Sequence, residues 1–238
     1  LTGVRPVKLL RRLAEESNEE QAVKKFEKDF FVSNEKIALS RETEHNERKI
    51  LELSKPESFS LYVGIPFCPS RCSYCSFVMA SIERAEKLIE PYTKLLCEEI
   101  KRTAEIANKL GLRLETVYFG GGTPTTLSAE QLDTVLRTVN KSFDMSTCRE
   151  FTVEAGRPDT IDIAKLFALK ENKVDRISIN PQTVNDEVLK TIGRKHTAQQ
   201  FFDAFELARK CGFDNINTDL IAGLPTDTPE SFKNSLDS

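Results

Sequence analysis

The sequence predicts an α/β protein, a partial (β/α) barrel of about five strands behind a helical N-terminal extension. Three observations predict it. From residue 57 onward, strand-like runs at 59–65, 114–119, 150–155, 174–179 and 215–221 alternate with helix-like segments. Such alternation implies parallel strands joined by right-handed crossovers. Residues with chemical potential stand just after the strands, where a barrel gathers its βα loops. Residues 1–56 read instead as helical and dense in charge. The expected organisation is therefore an extension over 1–56 and a core over 57–238.

In the extension, Val7, Leu10 and Leu13 can share one helix face, and Val23, Phe26, Phe30 and Phe31 another. Ile37, Ile50, Leu51 and Leu53 flank the run RETEHNERK, which reads as a solvated face with His45 at the surface. Lys55-Pro56 closes the segment, because the residue before a proline is pushed out of the helical region. In the core, the spacing predicts a helix over 91–110. Pro91 would lie in its first turn, Leu95, Leu96, Ile100, Ala107 and Leu110 on its apolar face, and Gly111 at its stop. Ser128 with Gln131 and Thr197 with Gln200 read as capping boxes. Phe201, Phe202, Phe205 and Ala208 give the second of those helices its apolar face, and it is expected to end near Gly212.

Composition narrows the class. Of 238 residues, 39% are hydrophobic and 30% charged, as in a globular protein. A net charge of −3 argues against broad nucleic-acid affinity. No apolar run reaches the roughly 18–20 residues of a membrane span, and Lys8, Arg11 and Arg12 interrupt the first apolar stretch as no signal peptide would. Six cysteines, three clustered and three scattered, do not form a secreted disulfide framework, so a reducing cytoplasm is expected. The chain opens on LTGVRPVKLL and stops early in a helix-like segment, and so reads as a piece of a longer protein.

The chemistry-bearing residues begin with Cys68, Cys72 and Cys75, a C-x3-C-x2-C frame within YVGIPFCPSRCSYCSF. Three thiolates can hold three irons of a four-iron cluster and leave the fourth open, whereas four-cysteine sites are coordinatively closed. A zinc site is the competing reading; zinc usually takes C-x2-C pairs with a fourth Cys or His, and the histidines here are His45 and His196. Cys97, Cys148 and Cys211 lack partner spacing and read as small buried hydrophobes. The remaining strand-end motifs are GGGTP at 120–124, EAGRP at 154–158, NPQT at 180–183 and the stretch 219–225. Arg71, Arg157 and Lys195 are basic residues available near that rim, with ordinary surface roles as the alternative.

The cysteine loop, VYFGGGTPTTL, VEAG, RISINPQT, GRKHT and DLIAGLP together resemble the radical S-adenosylmethionine enzymes. More narrowly they resemble the oxygen-independent coproporphyrinogen III oxidase branch. The VEAGRPDTI wording and the TGVRPVKL opening are most similar to its coproporphyrinogen dehydrogenase subgroup. The resemblance covers the whole chain, most strongly from about residue 57. It implies a TIM-like barrel of the radical S-adenosylmethionine type with about five of six strands present.

It also implies a [4Fe-4S] cluster on Cys68, Cys72 and Cys75 whose open iron chelates S-adenosylmethionine. Reductive cleavage of that ligand, driven by an electron donor, would yield a 5′-deoxyadenosyl radical. By residue-to-residue match, Tyr62, Tyr74, Gly121, Gly122, Thr123, Glu154, Gln182, Arg194 and Asp219 would line the pocket for it. Each has chemical sense there: carboxylates for ribose hydroxyls or an ammonium, Arg194 for a carboxylate, Gln182 as donor and acceptor, glycines for close backbone approach. Tyr62 and Tyr74 could equally be packing residues. The implied activity is oxidative decarboxylation of two propionates of a tetrapyrrole in haem biosynthesis. One departure stands out. The branch's oxidases carry a fourth cysteine two residues after the third, and here that position is Phe77. A sister group with an aromatic there includes haem chaperones. By the same resemblance, the segment without the branch's C-terminal region is expected to be inactive toward coproporphyrinogen.

Overall fold

The computed structural model describes residues 5–77 and 79–238. Residues 1–4, which begin the TGVRPVKL run, lie outside the described residues. The chain divides into two units, Leu1–Pro56 and Glu57–Ser238.

The first unit holds α1 (Pro6–Glu16), α2 (Glu19–Lys28) and α3 (Asn34–Leu51). Asn18 and Ser33 cap the second and third helices, each accepting from the backbone three residues on. Leu10, Leu13, Ala22, Phe26 and Ile37 form the unit's buried core. Phe31, expected on the α2 face, is 76% exposed. The helix stops at Lys28, and the chain turns through a left-handed conformation at Phe31 (φ 53°), which takes the ring off the face. RETEHNERK lies along α3 with His45 exposed, as expected.

The second unit runs β1 (Ser58–Ile65), β2 (Phe67–Cys68), β3 (Ala80–Ser81), α4 (Ile82–Lys109), β4 (Arg113–Gly121), α5 (Ala129–Ser142), β5 (Glu150–Glu154), α6 (Ile163–Glu171), β6 (Arg176–Ser178), α7 (Asp186–Thr191), α8 (Ala198–Lys210), β7 (Asn215–Asn217) and α9 (Pro229–Asp237). Five strands form one parallel sheet in the order β1-β4-β5-β6-β7. Each new strand is added beside the last long one, the progression of a (β/α) barrel wall. The last two strands are shorter than the 174–179 and 215–221 runs, and pairing resumes beyond them as a single Gln182–Leu220 bridge. A two-residue ladder between β2 and β3, not foreseen from the sequence, pairs Phe67–Cys68 with Ala80–Ser81.

Register explains how the sheet presents a site. Val63, Phe119, Val153, Ile177 and Ile216 stand in one row across all five strands. They share a core with Ile89, Leu96 and Ile100 of α4 and Leu132, Leu136 and Val139 of α5. Burying each such side chain fully contributes roughly 1.5–3 kcal/mol. Alternate residues project to the other face. There stands a second row of Tyr62, Tyr118, Thr152, Arg176 and Asn215. Parallel sheets are ordinarily apolar on both faces; here the face opposite the helices carries a polar row, and that face is the barrel's lumen side.

Both capping boxes form: Gln131 and Gln200 exchange bonds with Ser128 and Thr197. The helix expected over 91–110 is longer. It begins at Ile82, so Pro91 lies inside it rather than in its first turn. Pro91 is on the exposed side, where its missing N–H leaves a helix carbonyl free to meet water. Leu95 and Leu110, assigned to the apolar face, are 66% and 67% exposed, while Ala85, Ile89, Thr93, Leu96, Cys97 and Ile100 are buried. Cys148 and Cys211 are half-buried against the core.

Phe119→Ala should therefore cost about 3–5 kcal/mol in urea-unfolding free energy, and Leu95→Ala within about 0.5 kcal/mol. Equal losses would contradict this packing.

Candidate functional site

The strands' C-terminal ends deliver the chemistry-bearing loops to one rim, and the first contact there is backbone against backbone. Ile65 pairs with Gly121 at the ends of β1 and β4. Gly122 N–H donates to Ile65 O at 2.8 Å and Thr123 N–H to Phe67 O at 2.7 Å. No side chain fits between. A Cβ on Gly122 would lie 2.6 Å from Phe67 O and 3.0 Å from the Cys68 sulfur, and Gly121 takes φ 105°, open to glycine at little cost. The Thr123 hydroxyl then sits 3.3 Å from Cys68 Sγ.

Cys72 is buried, with Cys68 and Cys75 half-buried, and all three thiols are free. Cys75 N–H bonds Cys72 O at 3.1 Å and Ser73 N–H bonds Ile192 O at 3.0 Å, which ties the loop to the far side of the rim. Burial pushes the Cys68 thiol up. Among the described residues no three His, Cys, Asp or Glu side chains gather at one point fit for a metal ion.

Beside the cysteines, Arg194 is buried. Its Nη1 donates to Asn180 O at 2.6 Å and Gly156 O at 3.2 Å, and its Nη2 to Tyr74 Oη at 3.1 Å. Nε has no partner. Burial raises the Tyr74 hydroxyl to about 12, with Arg194 opposing and Cys72 adding to the rise. Gln182 is also buried, held at φ 69°, with its Oε1 unpartnered. Its backbone N–H donates to Asp219 O at 3.0 Å and its carbonyl accepts from Ile221 N–H at 3.0 Å. The Asp219 carboxylate is exposed and accepts from Asn217 Nδ2 at 2.9 Å.

Glu154 ends β5 facing the lumen. Tyr118 Oη donates to it at 2.5 Å, and Tyr62, in register with Tyr118, stacks on that ring at 5.9 Å with 10° between planes. Burial pushes the Glu154 carboxyl up, the Tyr118 bond opposes, and the Asp219 charge adds to the rise. Burial and the Glu154 carboxylate push the Tyr118 phenol well up, so it stays a donor. The structure thus brings the predicted residues into three groups: Cys68 with Gly122 and Thr123, Cys72 with Tyr74 and Arg194, and Tyr62 with Glu154. Gln182 and Asp219 are joined through backbone alone.

Tyr118 was missed in the sequence, although its alternation with Gly120 in VYFGG places it on the lumen face. Of the basic candidates, Arg71 and Lys195 are exposed, while Arg157 is 3% exposed and bonded to Cys72, which turns it away from solvent. His196 entered the sequence reading only among the histidines weighed for zinc and within GRKHT. It is buried without a well-formed bond at either ring nitrogen, and burial, then the Arg194 charge, lowers its pKa to about 4.

The Radical SAM superfamily signature matches residues 62–238. The chain belongs to the radical SAM superfamily. Its relatives narrow this to the coproporphyrinogen oxidase, HemZ and HemW family. It is 40% identical, over 99% of its length and 48% of the relative's, to the oxygen-independent coproporphyrinogen-III oxidase-like protein HemZ of Bacillus subtilis. It is 41% identical to the heme chaperone HemW of Lactococcus lactis over 78% of its length and 46% of that protein's. Among solved structures, the Escherichia coli coproporphyrinogen III oxidase HemN, a radical SAM enzyme, superposes with a TM-score of 0.68 at 29% identity, covering 80% of this chain and 44% of that one. The radical SAM chain spans about half the length of the curated relatives it matches. The fold is the partial TIM-like barrel of that superfamily, whose members imply a [4Fe-4S] cluster and S-adenosylmethionine. The residues fit both. Three free thiols share one loop, a Cβ-free cradle abuts Cys68, and Gln182 Oε1 and Arg194 Nε are orphaned at the rim. Among the described residues no helix is long and apolar enough to cross a membrane.

Gly122→Ala should abolish most iron uptake during anaerobic reconstitution, because backbone atoms must move. Gly64→Ala, whose Cβ would meet a Tyr62 ring atom at 3.6 Å, should load normally. Equal iron in both proteins would refute the cradle.

His196 adds a pH prediction. The unfolded imidazole takes a proton near 6.5 and the folded one only near 4, so stability is complete above 6.5 and declines as pH falls between those values. The unfolding free energy of wild type minus that of His196→Gln should fall by at most about 1.4 kcal/mol per pH unit across that window. A pH-independent difference would contradict a buried neutral His196.

Proposed function

We propose that this chain is the cofactor-binding core of an enzyme that oxidatively decarboxylates two propionates of coproporphyrinogen III to vinyl groups, giving protoporphyrinogen IX. The observation that carries it is the extent of the HemZ match. That relative, named an oxygen-independent coproporphyrinogen-III oxidase-like protein, aligns over 99% of the chain, whereas the HemW alignment covers 78%.

In this reading Cys68, Cys72 and Cys75 hold the cluster. Arg194 Nε and Gln182 Oε1 are the open donor and acceptor for the methionine carboxylate and ammonium of S-adenosylmethionine. Glu154, oriented by Tyr118, and Asp219 accept from its hydroxyls or ammonium. Gly121, Gly122 and Thr123 line its path with backbone, and Tyr62 and Tyr74 flank it. When bound, cluster and S-adenosylmethionine together supply hydrogen-atom abstraction from an unactivated carbon, and the protein orients and shields. A cytoplasmic electron donor completes the cycle.

Phe77 supports a second reading. It is 65% exposed beside the cluster loop, where the oxidases have a further cysteine, and HemW relatives are heme chaperones. Haem binding and delivery without decarboxylation is that alternative.

Full-length protein, reconstituted anaerobically with reductant and S-adenosylmethionine, should release 5′-deoxyadenosine and remove two carboxyl groups from coproporphyrinogen. Cofactor cleavage without decarboxylation, with one haem bound per chain, would favour the chaperone.

A further inference from the structure

The loop after β5 sends an arginine inward rather than to solvent. Arg157 is buried, and each of its three nitrogens is engaged. Nη1 donates to Cys72 Sγ at 3.4 Å, Nη2 to Ser70 Oγ at 3.0 Å, and Nε to Asp159 Oδ1 at 3.3 Å. Two of these three acceptors belong to the cysteine loop. Ser70 passes the support on, donating from Oγ to Gly193 O at 2.9 Å. One side chain therefore joins the β5 loop, the cysteine loop and, through Ser70, the turn that leads to Arg194.

A buried guanidinium costs several kcal/mol of desolvation unless paired and fully bonded. Asp159 provides the countercharge in this chain, but the forked end is spent on the cysteine loop. A Lys would place a point charge there without the fork. Nor can a buried Arg157, bonded at each of its three nitrogens, reach out to a substrate propionate.

We propose that Arg157 is a positioning residue for the cluster: it fixes the Cys72 sulfur and makes the bound cluster easier to reduce. This rests on the reading that Cys68, Cys72 and Cys75 hold the cluster. Hydrogen bonds to cluster sulfurs and nearby charge set an iron–sulfur potential. A donor carrying positive charge stabilises the more negative, reduced state, so its removal drives the potential down.

The test uses full-length wild type, Arg157→Met and Arg157→Lys, reconstituted anaerobically, with iron content, circular dichroism and a redox titration of the cluster's paramagnetic signal. A wild type that takes up no cluster would defeat the cofactor assignment itself. Given a loaded wild type, Arg157→Met should be about tenfold harder to reduce, ~59 mV more negative for one electron. Arg157→Lys should lie between the two. An unchanged potential in Arg157→Met would overturn the proposal. Loss of iron from Arg157→Met with its dichroism intact, and iron retained by Arg157→Lys, would support it. Loss of helical signal together with iron in both variants would assign Arg157 to the core and also overturn it.

Discussion

The rim depends on how closely the turn after β4 lies against the segment that leads out of β1. With Gly120, Gly121 and Gly122 the two backbones bond directly, Gly122 to Ile65 and Thr123 to Phe67. The cysteine loop then starts from a fixed point. A side chain at 122 would need space already held by a carbonyl and a sulfur. From that fixed start the loop is fastened at Ser70, Cys72, Ser73 and Tyr74 by groups from the loops after β5 and β6. A parallel sheet makes this possible, because every strand delivers its loop to the same edge.

The second constraint is the division of the sheet's faces. The apolar row through Val63, Phe119, Val153 and Ile177 secures the wall from the helix side. That frees the lumen side to be polar, with Tyr62, Tyr118 and Glu154 forming a bonded and stacked set. Burial then shapes their chemistry: the Glu154 carboxyl rises, Tyr118 stays a donor, and His196 stays neutral.

Much of this was legible in the sequence where the signal is local. Capping boxes need only a spacing of three, and both form. The strand ends were legible because apolar runs stop at glycines, prolines and carboxylates. Less legible were features set by distant partners. Pro91 signals a first turn, yet a proline also fits mid-helix when the bond it removes faces water. Leu95 and Leu110 satisfied the helical period but sit outside the stripe that α4 buries. The β2–β3 ladder joins two residues to two others across the cysteine loop, with no periodicity to detect. Arg157 read as one surface cation among many, since nothing in EAGRP tells that its fork turns inward. Tyr118 could have been read, from its place two residues before Gly120 on the alternating strand.

The central claim is that three thiolates hold a cluster with one iron open to S-adenosylmethionine. Its most direct test is the electron paramagnetic resonance spectrum of the reduced, reconstituted wild-type protein before and after S-adenosylmethionine or a non-cleavable analogue is added. A clear change in the cluster's g-values on addition is the predicted result. A reduced four-iron signal that stays the same at saturating ligand would contradict the claim.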